Sequence, residues 1–397
     1  MGVFSFFQTI VKRKSGFSGS IGAVLAALFL VSCAAPPTKP ITTSTPATKS
    51  SLPRPPKIVE TVVADDAASS ASLSPVSFSD IPGWNEDVLA DAWQAWLQSC
   101  NALRKRKTGP VNWEAVCDRA NAQKPRDAKT FFENNFRAYS VRNQVTGKSE
   151  GLVTGYYEPI MNGSRVRTER YTVPLYAYPK SWVRAKPNPA PTRAELLSSS
   201  LLKGSEIAWV EDPVAAASMQ IQGSGKIRLD GGQIVRFSFA GTNDQPFKSS
   251  AQWLLDRKEI TRAEATMQGI SEWGKRNPNK VQEMLDANPR FVFFKELPPS
   301  ANQDLGPIGA LGVPLSPGRS IAIDPRAIPL GAPVFLETTQ PLSNQPIRRL
   351  VMAQDTGKAI VGPVRVDYFW GTGDQAGELA GKMKQNGRVW LLLPRRD

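Results

Sequence analysis

From Gly151 to the end, the chain is broken into short runs of β-branched and aromatic residues with glycine and proline between them. The runs are Gly151 to Tyr157, Thr172 to Tyr178, Ile207 to Val210, Ala217 to Ile221 and Ile234 to Phe239, then Phe291 to Phe294, Ser320 to Ile323, Pro333 to Leu336, Arg349 to Ala353, Val364 to Trp370 and Val389 to Leu393. Each reads as a strand. Strands this short, with turn residues at every break, argue for barrels over a doubly wound sheet. Helices are expected at the periphery. Leu89, Trp93, Trp96, Leu97, Cys100 and Leu103 recur at helical spacing behind a possible Asn85 cap, and Asn112 can cap a second helix carrying Trp113, Val116 and Cys117. Thr192 with Glu195, and Thr261 with Glu264, have capping-box spacing, so helices are expected to begin there too.

The first 81 residues read differently. Lys12, Arg13 and Lys14 precede an apolar run from Ile21 to Val31, shorter than the roughly 20 residues a spanning helix needs. It ends in Leu30-Val31-Ser32-Cys33, which resembles a bacterial lipoprotein box, so Cys33 is expected to carry the lipid after residues 1–32 are removed. Ala34 follows that cysteine where an aspartate would favour the inner membrane, which places the expected anchor on the periplasmic face of the outer membrane. Residues 33–81, rich in Pro, Ser, Thr and Ala, read as a flexible tether. The chain of 397 residues has 49 Lys and Arg against 35 Asp and Glu, a formal charge of +14. A mature form without Lys12, Arg13 and Lys14 stays strongly basic, which suits an acidic polymer or a phospholipid surface, while an exported address argues against nucleic acid.

There is no histidine and there are 3 cysteines. This excludes Ser-His-Asp and Cys-His nucleophile systems and every His-ligated metal site, and no metal or other cofactor is expected. Cys100 and Cys117, on neighbouring helices in an oxidising compartment, are expected to form a disulfide. Local motifs offer rival chemistries. Gly371-Thr372-Gly373-Asp374-Gln375-Ala376 imitates a dinucleotide fingerprint, yet the chain ends after one further strand, so these glycines are read as a turn. Ser200-Leu201-Leu202-Lys203 and Lys107-Thr108-Gly109 match elements of penicillin-binding enzymes in the wrong order. Asp355-Thr356-Gly357 has the triplet of aspartic proteases in a single copy, which would require a dimer to supply the second aspartate.

Asp367 is the preferred chemical centre. Alternation along Val364–Trp370 places Arg365, Asp367 and Phe369 on one face, so Asp367 is a carboxyl among aromatics. Partial burial there would raise its pKa from about 3.9 toward the range of a proton donor.

The motifs Leu152-Val153-Thr154-Gly155-Tyr156-Tyr157-Glu158-Pro159, Met219-Gln220-Ile221-Gln222-Gly223-Ser224-Gly225, Ala240-Gly241-Thr242-Asn243, Gly318-Arg319-Ser320-Ile321-Ala322-Ile323-Asp324 and Gln354-Asp355-Thr356-Gly357 resemble, in order, those of the membrane-bound lytic transglycosylase A family (MltA). The resemblance spans about residues 90–393. It implies a mainly β protein with peripheral helices: a double-psi β-barrel from residues 82–159 and 293–397, and an inserted smaller β-barrel-like domain at 160–292. It also implies cleavage of the β-1,4 bond between N-acetylmuramic acid and N-acetylglucosamine in peptidoglycan, leaving a 1,6-anhydromuramic end. Asp367 falls on the family's catalytic aspartate, with Asp355 as a second catalytic candidate. Thr154, Tyr156, Tyr157, Glu158, Gln220, Gln222, Gly223 and Ser224 resemble substrate-binding positions. The partners so implied are peptidoglycan glycan strands, the membrane through the lipid anchor, and cell-wall synthesis proteins, for a monomer. A non-catalytic peptidoglycan-binding lipoprotein and an aspartic-type protease through Asp355-Thr356-Gly357 are the alternative readings.

Overall fold

The computed structural model describes residues 60–62, 70–105, 111–299 and 305–395. The leader, Cys33 and most of the expected tether lie outside the described residues, but the tether reading fails over its last part, where Ala71–Val76 is a strand paired with Phe136–Asn143 and buries Ala71 and Leu73 in the core. Strands β1 (Glu60–Val62), β2 (Ala71–Val76), β3 (Phe136–Asn143) and β4 (Gly151–Glu158) precede an insertion. The insertion holds β5 (Ile160–Ser164), β6 (Val173–Tyr176), β7 (Glu206–Val210), β8 (Ser224–Leu229), β9 (Ile234–Thr242) and β10 (Val292–Glu296). The chain returns with β11 (Ser320–Ile323), β12 (Pro333–Thr339), β13 (Pro346–Thr356), β14 (Val366–Thr372) and β15 (Lys384–Pro394).

The larger sheet runs β1-β2-β3-β15-β12-β13-β11-β14-β4, and β4 pairs back onto β15. Six strands therefore close into a barrel, with β1 to β3 extending from its β15 side. Two of its ladders are parallel, β11 with β13 and β14 with β4, and the other four are antiparallel. Alternation fills the interior with Val153, Ile321, Ile323, Val351, Val366 and Tyr368, all buried. Closure needs β15 to serve three neighbours in turn, and it does so by bending where Gly387 faces Gly151. A Cβ on Gly387 would stand 2.5 Å from Val153 Cγ2, so the bend admits no side chain.

One end of the barrel is covered by helices Trp93–Leu103, Glu114–Asn121 and Ala128–Asn135. Trp93 and Trp96 pack against Phe131, Phe132 and Phe136 with ring centroids 4.9 to 6.1 Å apart. The expected Cys100–Cys117 disulfide ties the first two helices together. Asn112 accepts the Glu114 N–H at 3.0 Å just ahead of the second helix, whose N-cap position is taken by Trp113.

The smaller sheet has the order β10-β9-β8-β5-β7-β6, and one bridge from Ala177 to Phe294 joins its two edges, which makes it barrel-like. Its core is Leu175, Val210, Met219, Ile227, Phe237 and Phe294. Strand β10 belongs to this sheet, so the chain re-enters the larger barrel only after Glu296.

Three local expectations are corrected. Ala217 to Ile221 is part of the α-helix Pro213–Gln222 and forms no strand. Asp212 accepts the Val214 N–H, Pro213 occupies the first turn and Gly223 closes the helix at φ 79°, so start and stop signals outweighed the apolar run between them. Thr261 and Glu264 do make their reciprocal bonds, yet they close a single turn, and the helix begins at Met267 with Thr266 as its cap. Asn85 starts no helix either; a 3-10 turn at Leu89–Ala92 leads into Trp93–Leu103.

Candidate active site

The outer wall of the barrel carries the two aspartates. Asp355 is next to last in β13 and Asp367 lies in β14, and these strands do not pair with each other. The short strand β11 separates them, and Ala322 is the register partner of both Asp355 and Asp367. On its other side Asp367 faces Thr154 of β4. A single row therefore crosses four strands: Asp355, Ala322, Asp367, Thr154. Residues paired in this way project to the same face. A β-bulge creates the row. Ile321 pairs with Ala353 but Ala322 pairs with Asp355, so Gln354 is the extra residue, and without it Asp355 would fall out of line. Gln354 is buried and held in place by the Ala95 carbonyl at 2.7 Å and the Ser320 hydroxyl at 2.5 Å.

The two carboxyls are bonded unequally. Asp355 accepts three hydrogen bonds: the Ala310 N–H (2.9 Å) and its neighbour's N–H at Thr356 (2.9 Å) on Oδ1, and the Tyr156 hydroxyl (3.1 Å) on Oδ2. Asp367 accepts one, from the Thr154 hydroxyl to Oδ1 at 2.6 Å. Among the described residues no protein donor is bonded to Asp367 Oδ2. Burial pushes the Asp367 carboxyl above the ordinary aspartate range, opposed by the Thr154 hydroxyl and the Arg365 guanidinium and reinforced by the charge of Asp355. Burial also raises Asp355, against the pull of its three donors. Tyr156, whose ring packs 5.2 Å from that of Phe369, has its hydroxyl pushed well above 10 by burial and then by the charges of Asp355 and Asp367, so it stays a donor.

The other expected site residues divide between lining and support. Tyr157 and Gln222 line a cavity of about 310 Å³ that opens beside Thr154, with exposed Ile221 and Phe247 on its walls. Gln222 anchors there by accepting the Tyr157 backbone N–H at 3.3 Å. Gln220 is half-buried and accepts from the buried Arg193. Gly223 is the left-handed cap of helix Pro213–Gln222, and Ser224 is buried at the start of β8. Glu158 is 1% exposed and lies outside the cavity wall. It pairs with buried Lys226 at 3.3 Å and accepts the Thr372 hydroxyl at 3.2 Å, which joins the end of β4 to β8 of the smaller sheet. Its backbone carbonyl holds the Gly373 N–H at 2.9 Å, so Gly373, at positive φ, shapes a turn, whereas Gly371, also at positive φ, lies within β14 at its register shift.

Sequence reading missed Lys226, Arg193, Ala322 and the Ala310 N–H. Lys226 had no distinguishing signal, because its strand Ser224–Leu229 also carries Arg228, and only the fold buries the one and exposes the other. A backbone donor such as Ala310 has none, since its role depends on a contact 45 residues away. Among the described residues no cluster of Cys, Asp or Glu has metal-holding geometry, and no helix is long and apolar enough to cross a membrane.

The chain is similar to known proteins in sequence and in fold. The profile described as MltA specific insert domain matches residues 152–295, and that of the 3D domain matches residues 319–393. A lytic transglycosylase of Burkholderia pseudomallei, LtgG, is 50% identical, covering 82% of this chain and 96% of its own, with a TM-score of 0.60. MltA from Neisseria gonorrhoeae is 35% identical over 86% of this chain and 97% of its own, with a TM-score of 0.73. The structure of Escherichia coli MltA with bound chitohexaose is 28% identical over 77% of this chain and 90% of its own, with a TM-score of 0.61. The membrane-bound lytic murein transglycosylase A of Escherichia coli K12 is 34% identical over 247 residues, a match spanning 60% of this chain and 64% of that relative. With 35% identity to Neisseria gonorrhoeae MltA across 97% of that protein, and both profiles lying over the row that holds Asp367, the chain belongs to the MltA family of lytic murein transglycosylases.

Proposed function

We propose that this protein is a lytic transglycosylase that cleaves the β-1,4 bond between N-acetylmuramic acid and N-acetylglucosamine in peptidoglycan and leaves a 1,6-anhydromuramic end. The observation that carries the proposal is the inequality of the two carboxyls in one row. Asp367, with an oxygen open to a ligand, has the form of a proton donor; Asp355, with three donors, has the form of a fixed anion.

In this reading Asp367 first gives its proton to the glycosidic oxygen as the bond to C1 breaks. The resulting carboxylate then takes the proton of the muramic 6-hydroxyl as that oxygen closes onto C1. The nucleophile is already tethered to the substrate, so its effective concentration is high and a second carboxylate is not needed to activate water. The charge on Asp355 favours the oxocarbenium-like transition state, and Tyr156 holds that carboxylate in place. The cavity beside Thr154 provides room for a glycan strand, in keeping with the chitohexaose bound by the Escherichia coli relative. In this reading the enzyme is a lipid-anchored monomer on the periplasmic face of the outer membrane, near glycan strands and cell-wall synthesis proteins, and the lipobox at Cys33 and the basic charge support that location.

The closeness of the two aspartates favours one rival, a hydrolase in which Asp355 activates water across the sugar. The mass of the product ends separates the two. Digestion of purified murein should yield muropeptides lighter by one water than hydrolysed ends. Products carrying a reducing muramic end would overturn the proposal, and so would the absence of released muropeptides, which is the outcome for a binding lipoprotein.

A further inference from the structure

We infer that Thr154 is a positioning residue for the acid: its hydroxyl occupies Asp367 Oδ1 and so confines proton exchange with the substrate to Oδ2. This gives Thr154 a part beyond contact with the glycan, and it rests on the reading of Asp367 as the acid.

The two residues are register partners in the parallel ladder of β4 and β14, and the distance of 2.6 Å is in the short range of charge-assisted O–H···O bonds. Threonine is β-branched and stiff at χ1, so the hydroxyl has little freedom to leave. The bond persists in both protonation states. When Oδ2 carries the proton, Oδ1 is the carbonyl-like oxygen and still accepts; when the proton has gone, Oδ1 shares the negative charge and accepts more strongly. Proton balance follows at one atom. The Oδ2–H bond breaks as the leaving oxygen gains hydrogen, and the same Oδ2 later forms a bond to the hydrogen of the attacking hydroxyl. Without Thr154 either oxygen could take the proton, and the carboxyl could rotate between the two steps. Gly155, next in the strand, limits movement of β4, because its Cα lies so close to Trp370 that a Cβ would stand 2.6 Å from the indole nitrogen.

The charged and titratable groups around the Thr154–Asp367 pair come from three strands and a strand entry: Tyr156 on β4, Asp355 on β13, Lys384 on β15, where it is the register partner of Thr154, and Arg365 just before β14. Ala322 on β11 adds none. A hydroxyl donor favours the charged form of a carboxyl, so its removal should raise the Asp367 pKa further.

The test uses the full chain digesting murein, with Thr154→Val, Thr154→Ser and Asp367→Asn measured beside the parent from pH 4 to 9. Thr154→Val keeps the shape and removes the donor. It should lower kcat about tenfold with KM changed less than about twofold, and move the basic limb of the profile to higher pH. Thr154→Ser should restore the parent profile. A Thr154→Val enzyme that loses the same factor at every pH, or a Thr154→Ser enzyme as poor as Thr154→Val, overturns the inference. Should Thr154→Val fail to fold, the serine variant still decides, because recovery of the parent limb position requires the hydroxyl alone. If Asp367→Asn keeps its activity, the reading of the acid fails and this inference with it. If Asp367→Asn is inactive while Thr154→Val matches the parent, this inference fails alone.

Discussion

Two carboxylates, one at the end of β4 and one facing its middle, have opposite surroundings. Glu158 is at the junction of the two sheets, 1% exposed, paired with Lys226 and bonded to Thr372. Asp367 stands on the barrel wall with one donor and one open oxygen. Burial raises the pKa of both; at Glu158 Lys226 and Arg236 oppose it, and at Asp367 the Thr154 hydroxyl and Arg365 oppose it while the charge of Asp355 adds to it. The lesson is that burial of an acid does not mark a catalytic group. An acid bonded to a buried cation is a clamp, and an acid left with an unfilled oxygen has a proton to give.

The comparison can be broken in four ways. The largest effect belongs to Asp367→Asn, which should cut murein digestion about a thousandfold while the circular dichroism spectrum matches the parent. Next, Glu158→Ala removes the carboxylate from buried Lys226 and should lower unfolding free energy by about 3 kcal/mol in a denaturant titration, and the enzyme that still folds should keep its product type. If Glu158→Ala abolished turnover in a protein of parental stability, the division between clamp and acid would be wrong. Asp355→Asn should cost about tenfold in kcat, because it removes a charge near the reacting carbon and leaves the proton donor in place. A loss as large as that of Asp367→Asn would favour the hydrolase reading.

The smallest effect concerns stability and pH. The folded-state pKa of Asp367 is above its unfolded value, so the folded state binds more protons. The stabilising contribution is complete below the unfolded value of about 3.9 and disappears as pH rises through the folded value. Asp367→Asn should therefore melt higher than the parent at pH 7, and the difference should vanish near pH 4. A lower melting temperature at pH 7 would show that the carboxylate is stabilised in the fold, contrary to its position here.

Much of the fold was legible because it rests on local patterns. The strands Ile207–Val210, Ile234–Phe239 and Ser320–Ile323 were visible as β-branched runs, and the Thr192–Glu195 capping box appears with both of its bonds. The helix Pro213–Gln222 was misread although Asp212, Pro213 and Gly223 bracket it, since a short apolar run by itself does not tell strand from helix. The placement of Glu158 was illegible. Its partner Lys226 is 68 residues further on, in a different sheet.

Asp367 as a strand carboxyl among aromatics, the cysteine pair and the exclusion of histidine chemistry were determined by the sequence alone, because each depends on residue type and short-range spacing. Only the tertiary structure decided that Asp355 and Asp367 share a row, that Thr154 holds one oxygen of the acid, and that the two carboxyls have unequal partners. Those facts require β11 to enter between two strands that follow each other in the chain, a bulge at Gln354, and closure of β4 onto β15. Each is a pairing over long sequence separation, and it is set by how the barrel closes its backbone hydrogen bonds rather than by any pattern along the chain.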